Sequence, residues 1–70
     1  MDKKEVLLNT TPSLTTFAVR AGHKLTNFRT TSHGQYMDLD GQKMRLRDIR
    51  TFLRERYTFR HMHTNEIYVP

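Results

Sequence analysis

The sequence predicts a small α+β domain in the order of a winged helix-turn-helix. Three observations predict it. An apolar stripe of helical spacing starts at Leu14 and is interrupted at Gly22. The tight-turn dipeptide Asp40-Gly41 lies between two alternating runs, and the period becomes helical again from Asp48. The expected organisation is a helix-turn-helix, a two-stranded wing, a closing helix and a C-terminal strand or tail, all in one domain over residues 1–70. At this size a core buries only about 60% of the unfolded chain's surface, so stability is expected to be marginal.

Taken in order, residues 1–10 read as a flexible arm or a short strand, since Val6 to Leu8 is the only apolar run there. In "TTPSLTTFAVRAGHKLTNF", Thr11 is placed to cap a helix whose first residue is Pro12, where the missing N–H costs nothing. Leu14, Phe17, Ala18, Ala21, Leu25 and Phe28 then recur at i, i+3, i+4, i+7, i+11 and i+14, one face of a helix. Gly22 would cost a continuous helix about 1 kcal/mol relative to Ala, so two helices with a turn between them are expected. The ten threonines of the chain add some β-propensity against this assignment.

The polar stretch "RTTSHG" leads into "YMDLDGQKMRLRDIRTFL". Asp40-Gly41 suits a type I′ turn, because both central residues need positive φ. That turn opposes Leu39 to Gln42, Asp38 to Lys43, Met37 to Met44 and Tyr36 to Arg45. Met37, Leu39, Met44 and Leu46 then share the core face, and Tyr36, Asp38, Lys43 and Arg45 the other. In the closing helix Ile49, Phe52, Leu53 and Tyr57 face inward, with Asp48 in the first turn where a negative charge suits the dipole. Arg50 and Arg54 lie one turn apart on its outer face. Residues 58–70 form the tail, read as a strand or a hairpin turning near Thr64-Asn65.

Twelve Lys and Arg against seven Asp and Glu give a net charge of +5. The distribution matters more than the total. Between Lys43 and Arg60 lie seven basic and two acidic residues, an excess equal to the charge of the whole chain. Such a local excess suits a polyanion, because each neutralised phosphate releases a counterion.

Ala18 followed four residues later by Gly22, with Phe28 beyond and the "DG" tip and "RLRDIRTFL" after it, resembles the small winged-helix DNA-binding domains of the excisionase and MerR-like superfamily. The resemblance covers roughly Leu14 to Leu53. It implies a recognition helix near Lys24 to Thr31, which puts Lys24, Thr26, Asn27, Arg29 and Thr30 at the major groove, Arg29 matched to guanine and Asn27 to adenine. It also implies that Gln42, Lys43 and Arg45 of the wing, with Arg47 just after it, contact the backbone or minor groove. Three features depart from the family pattern: His23 and Thr31 stand where apolar residues are usual, and the interval from Phe28 to Tyr36 is short.

The function expected on this basis is non-catalytic binding of double-stranded DNA, as an excisionase-like architectural factor or a small transcription regulator. A recombinase or another protein is a possible partner, and copies could associate cooperatively on DNA. The alternative is a basic adaptor or inhibitor that binds an acidic protein surface. An enzyme is not expected: the chain has no cysteine, its serines carry no motif, and its few acids are accounted for by capping or by the hairpin. No cofactor or metal is expected either, since His61 and His63 make only a pair and His23 and His33 have no spacing that joins them to it. No apolar run is long enough to span a membrane or to serve as a secretory signal, so a cytoplasmic location is expected.

Overall fold

The structure is a computed structural model that describes residues 2–10 and 12–70. Its elements run β1 (Lys4–Leu8), α1 (Leu14–Arg20), β2 (Leu25–Thr31), β3 (Gly34–Leu39), β4 (Gln42–Arg45), α2 (Leu46–Arg56), β5 (Tyr57–His61) and β6 (Ile67–Tyr68). They form two three-stranded sheets, ordered β1-β5-β6 and β2-β3-β4. The architecture is therefore mostly β with two helices, and the expected winged helix-turn-helix is not what the chain forms. The second helix of that motif is strand β2.

The reason lies at Gly22. Helix α1 ends in a Schellman motif: the His23 N–H donates to the Ala18 carbonyl at 2.9 Å, the Gly22 N–H to the Val19 carbonyl at 3.0 Å, and Gly22 takes φ +90°. That closure satisfies the last carbonyls and turns the chain away from the helix axis. The segment "LTNFRTT" that follows carries three threonines and a phenylalanine, and it pairs antiparallel with β3 from Leu25 opposite Leu39 to Thr31 opposite Gly34. The apolar residues at helical spacing thus split between a helix and a strand. Two-residue loop Ser32-His33, read from the sequence only as a polar stretch, closes the β2–β3 hairpin; the Thr31 hydroxyl accepts from the His33 N–H and donates to the Gly34 carbonyl. Here the short interval between Phe28 and Tyr36 has its cause.

The β3–β4 hairpin forms with the register that its turn dictates. Tyr36 faces Arg45, Met37 faces Met44, Asp38 faces Lys43 and Leu39 faces Gln42, with Asp40 at φ 52° and Gly41 at φ 88°. Helix α2 begins two residues before Asp48, and Ile49 and Leu53 are fully buried. The N-cap of α1 is Ser13, whose hydroxyl accepts from the Thr16 N–H at 3.2 Å. The Thr11 cap expected from sequence lies outside the described residues, and Pro12 precedes the cap rather than opening the helix.

Of the two alternatives for residues 1–10, the strand forms: β1 pairs in parallel with β5, Val6 opposite Phe59. The tail is the β5–β6 hairpin, with Asn65 at φ 60° in its turn. Val6, Leu8, Phe17, Ala18, Leu39, Ile49, Leu53 and Phe59 make one core that draws on both sheets and both helices. Phe17 meets Phe59 edge to face with ring centroids 4.6 Å apart. Among the described residues, no helix is long and apolar enough to cross a membrane.

A polar clasp joins the elements over the core. Asp40 at the hairpin tip accepts from the Lys24 N–H at 2.9 Å and sits 2.6 Å from Nδ1 of His23, whose Nε2 lies 2.5 Å from the Tyr57 hydroxyl. A carboxylate only accepts, so Nδ1 carries the proton it donates to Asp40, while Nε2 forms the second hydrogen bond with the Tyr57 hydroxyl. The His23 ring also meets Phe52 edge to face. A position where the family resemblance expects a small apolar residue is thus filled by a histidine that fastens the loop after α1 to the hairpin tip and to the start of β5.

Candidate functional site

The residues carried over from the resemblance divide into two groups. Thr26, Asn27, Arg29 and Thr30 lie on β2, and Lys24 in the turn before it, so no recognition helix presents them. Between Thr26 and Arg29 the pairing register shifts, and Asn27 takes φ 56°, a bulge that turns its side chain back onto the sheet. The Asn27 amide donates to Oδ2 of Asp38 at 2.8 Å, while Arg29 donates to Oδ1 of Asp38 at 3.0 Å and to the Asn27 carbonyl at 2.7 Å. These hydrogen bonds, that of Asn27 first, hold the Asp38 carboxyl below the usual carboxylate range. Arg29 thus commits two of its five N–H groups, and Asn27 one of its two, inside the molecule. The expected pairing of Arg29 with guanine and Asn27 with adenine loses the recognition helix it assumed, because both residues lie on β2 and are hydrogen-bonded to Asp38.

The second group stays free and gathers into a strip. Gln42, Lys43 and Arg45 are exposed on β4, and Arg47 is exposed in the first turn of α2. Lys43 and Arg45 point to the outer face with Tyr36 of the neighbouring strand, the Lys43 ammonium 4.7 Å and the Arg45 guanidinium 5.7 Å from its ring centre. Nε of Arg45 also donates to the Tyr36 hydroxyl at 3.1 Å, which fixes the guanidinium at the end of the strand.

On α2, Arg47, Arg50 and Arg54 recur at i, i+3 and i+7, so at 3.6 residues per turn they fall in one stripe, about a third of a turn from buried Ile49 and Leu53. The acids of the helix, Asp48 and Glu55, lie about a third of a turn away on the other flank. Among the described residues no carboxylate comes within 4.0 Å of the charged atoms of Lys43, Arg45, Arg47, Arg50 or Arg54. Elsewhere the charges do pair: Arg29 with Asp38, Arg60 with Glu5 and, at 4.0 Å, Arg56 with Glu55.

Strand and helix meet at an open cavity of about 300 Å³ lined by His33, Gly34, Gln35, Arg45, Leu46, Arg47 and Arg50. Three arginines and no acid are among its lining residues. The N-cap of α2, Arg45, makes no side-chain capping bond, so the first-turn N–H groups there have no side chain answering them. Arg50, Arg54, Tyr36 and His33 are thus part of the site although sequence reasoning did not assign them to it. The signal for Arg50 and Arg54 was their one-turn spacing with Arg47 three residues earlier; His33 carried none, since its hairpin was not recognised.

His61 and His63 do approach, with ring centroids 5.5 Å apart, but Nδ1 of His61 accepts from Thr64. Among the described residues no group of three or more potential ligands is placed to hold a metal ion. Comparison with protein-family models, with curated proteins and with solved structures returns no match.

Proposed function

We propose that the protein is a non-catalytic binder of double-stranded DNA, and that it engages the phosphate backbone through the outer face of the β3–β4 hairpin and the arginine stripe of α2. One observation carries the reading: five basic side chains on contiguous surface, Lys43, Arg45, Arg47, Arg50 and Arg54, none of them answered by a carboxylate within 4.0 Å among the described residues. Like charges one turn apart on a helix cost a few tenths of a kcal/mol, which an anionic partner would recover.

The dimensions support it. At 1.5 Å per residue, Arg47 to Arg54 span about 10 Å, the rise of about three nucleotides along one strand of a duplex. A two-stranded ribbon also fits a major groove, so β3–β4 can enter where the expected recognition helix cannot. A protein partner is less well matched. Interfaces between proteins concentrate their energy in buried aromatic and apolar anchors. The aromatic residue of this strip, Tyr36, is already half-buried beneath Lys43 and Arg45; of the exposed apolar side chains, Phe28 lies on β2, outside the strip, and Leu7 and Ile67 lie on the other sheet.

With the side chains of the bulge occupied, sequence preference is expected to be weak and to come chiefly from groove shape and deformability. Such a protein acts by bending or occluding DNA, the architectural side of the expected role. The test is competition between duplexes of different sequence and an acidic polypeptide for the fluorescently tagged protein. Binding of every duplex tighter than about 10⁻⁴ M at physiological salt supports the reading. Capture by the polypeptide alone would transfer the strip to a protein partner.

A further inference from the structure

We propose that the notch between β4 and α2 binds a phosphate monoester, the phosphorylated end of a nucleic-acid strand; this rests on the duplex reading above. Arg45, Arg47 and Arg50 surround one cavity of about 300 Å³, His33 stands at the same wall, and no acidic residue lines it. Three lining arginines exceed what an internal phosphodiester requires, since that group carries one negative charge. A monoester carries about −1.5 to −2 at pH 7 and presents three strong acceptor oxygens. Guanidinium forks match those oxygens two at a time, and three arginines line this one notch.

The surroundings fit the same ligand. Arg45 is held by its bond to the Tyr36 hydroxyl, so one fork is fixed before anything binds. Gly34 contributes no side chain, and a Cβ there would meet nothing within 4 Å, which leaves that wall open. The volume lies at the lower end of the roughly 300–1,000 Å³ of small-molecule pockets, room for a phosphate with its terminal sugar. On a duplex such a group occurs only at a strand terminus or a nick. The remainder of the strip, toward Arg54 and Lys43, is then left to follow the backbone away from that end.

The experiment compares duplexes of one sequence bearing 5′-phosphate, 3′-phosphate or hydroxyl ends, titrated by anisotropy at about 0.15 M salt. One phosphorylated duplex is expected to bind about tenfold tighter than the hydroxyl form, the worth of one charge-assisted hydrogen bond. Arg50→Ala should bring the constants together, whereas Arg54→Ala, outside the notch, should weaken all three duplexes by the same factor. Equal affinity for all three with the unaltered protein overturns the proposal, as does a preference that survives Arg50→Ala. Should no duplex bind at all, the duplex reading fails by itself. The notch is then judged by a 5′-mononucleotide in NMR titration: shifts at the Gly34, Gln35, Leu46 and Arg47 amides support monoester binding, and their absence ends it. A mononucleotide that binds as tightly as the phosphorylated duplex would overturn the assignment to a strand end.

Discussion

Removing Arg50 and Arg54 together should change the salt dependence of duplex binding by an amount the structure fixes. Five cations with no carboxylate within 4.0 Å among the described residues stand on the strip, and if each neutralises one phosphate the slope of log K against log salt is about −4.5. From about 50 to about 200 mM salt the unaltered protein then loses about 500-fold in affinity. With both arginines replaced by Ala, three cations remain, the slope falls to about −2.7 and the loss to about 40-fold. Both side chains are exposed and neither is ion-paired among the described residues, so the fold should be undisturbed; relief of their mutual repulsion even favours the helix by a few tenths of a kcal/mol. Anisotropy titrations at four or more salt concentrations measure the slopes, with circular dichroism as the control on folding. Identical slopes for the two proteins, or a slope for the unaltered protein shallower than about −1, would refute the assignment of these arginines to phosphates.

Other predictions concern the scaffold. Phe59→Ala removes a fully buried ring packed edge to face on Phe17 and should cost about 3–5 kcal/mol; a domain of this size has little more to lose, so urea titration should find it largely unfolded in water, and a loss under about 1 kcal/mol would contradict the core assignment. His23→Ala breaks the clasp to Asp40 and Tyr57 and should lower the melting temperature by about 5–15 °C, a loss of about 1–2 kcal/mol; an unchanged melting temperature would show that the clasp carries no stability. Asp38 and Asp40 are both held below the usual 3.8, Asp38 mainly by the Asn27 hydrogen bond and Asp40 mainly by that of His23. As pH falls through 3.8 the unfolded chain takes up these protons before the folded one, so their stabilisation is complete above that value and is lost below it. Thermal melts from pH 6 downward should therefore hold level and then fall. A stability that rises on acidification would reverse the sign.

Much of the second half of the fold was legible in the sequence because its signals are local. Asp40-Gly41 set the turn, the turn set the register, and the register placed Lys43 and Arg45 beside Tyr36 on the outer face. The helix after it followed from the spacing of Ile49 and Leu53. The first half failed at one point. Leu25 and Phe28 continue a helical stripe from Leu14 by arithmetic alone, whereas Gly22 closes the helix and the threonines that follow pair with β3. Tertiary pairing overrode a periodicity that the intervening glycine had already ended. The parallel pairing of β1 with β5 was out of reach for a different reason: strands more than fifty residues apart leave no mark on each other's local pattern. The site divided along the same line. Lys43, Arg45 and Arg47 stand exposed as expected, while Asn27 and Arg29 each give a hydrogen bond to Asp38, which the β2–β3 pairing places opposite Thr26 beside the bulge.

The most direct test of the strip is an amide chemical-shift map of the isotopically labelled protein titrated with a short duplex near physiological salt. The account predicts that the largest changes cluster on Tyr36, Lys43, Arg45, Arg47, Arg50 and Arg54, with the sheet β1-β5-β6 little affected. Changes centred instead on Leu7, Arg60 and Ile67, or no changes at millimolar duplex, would contradict it.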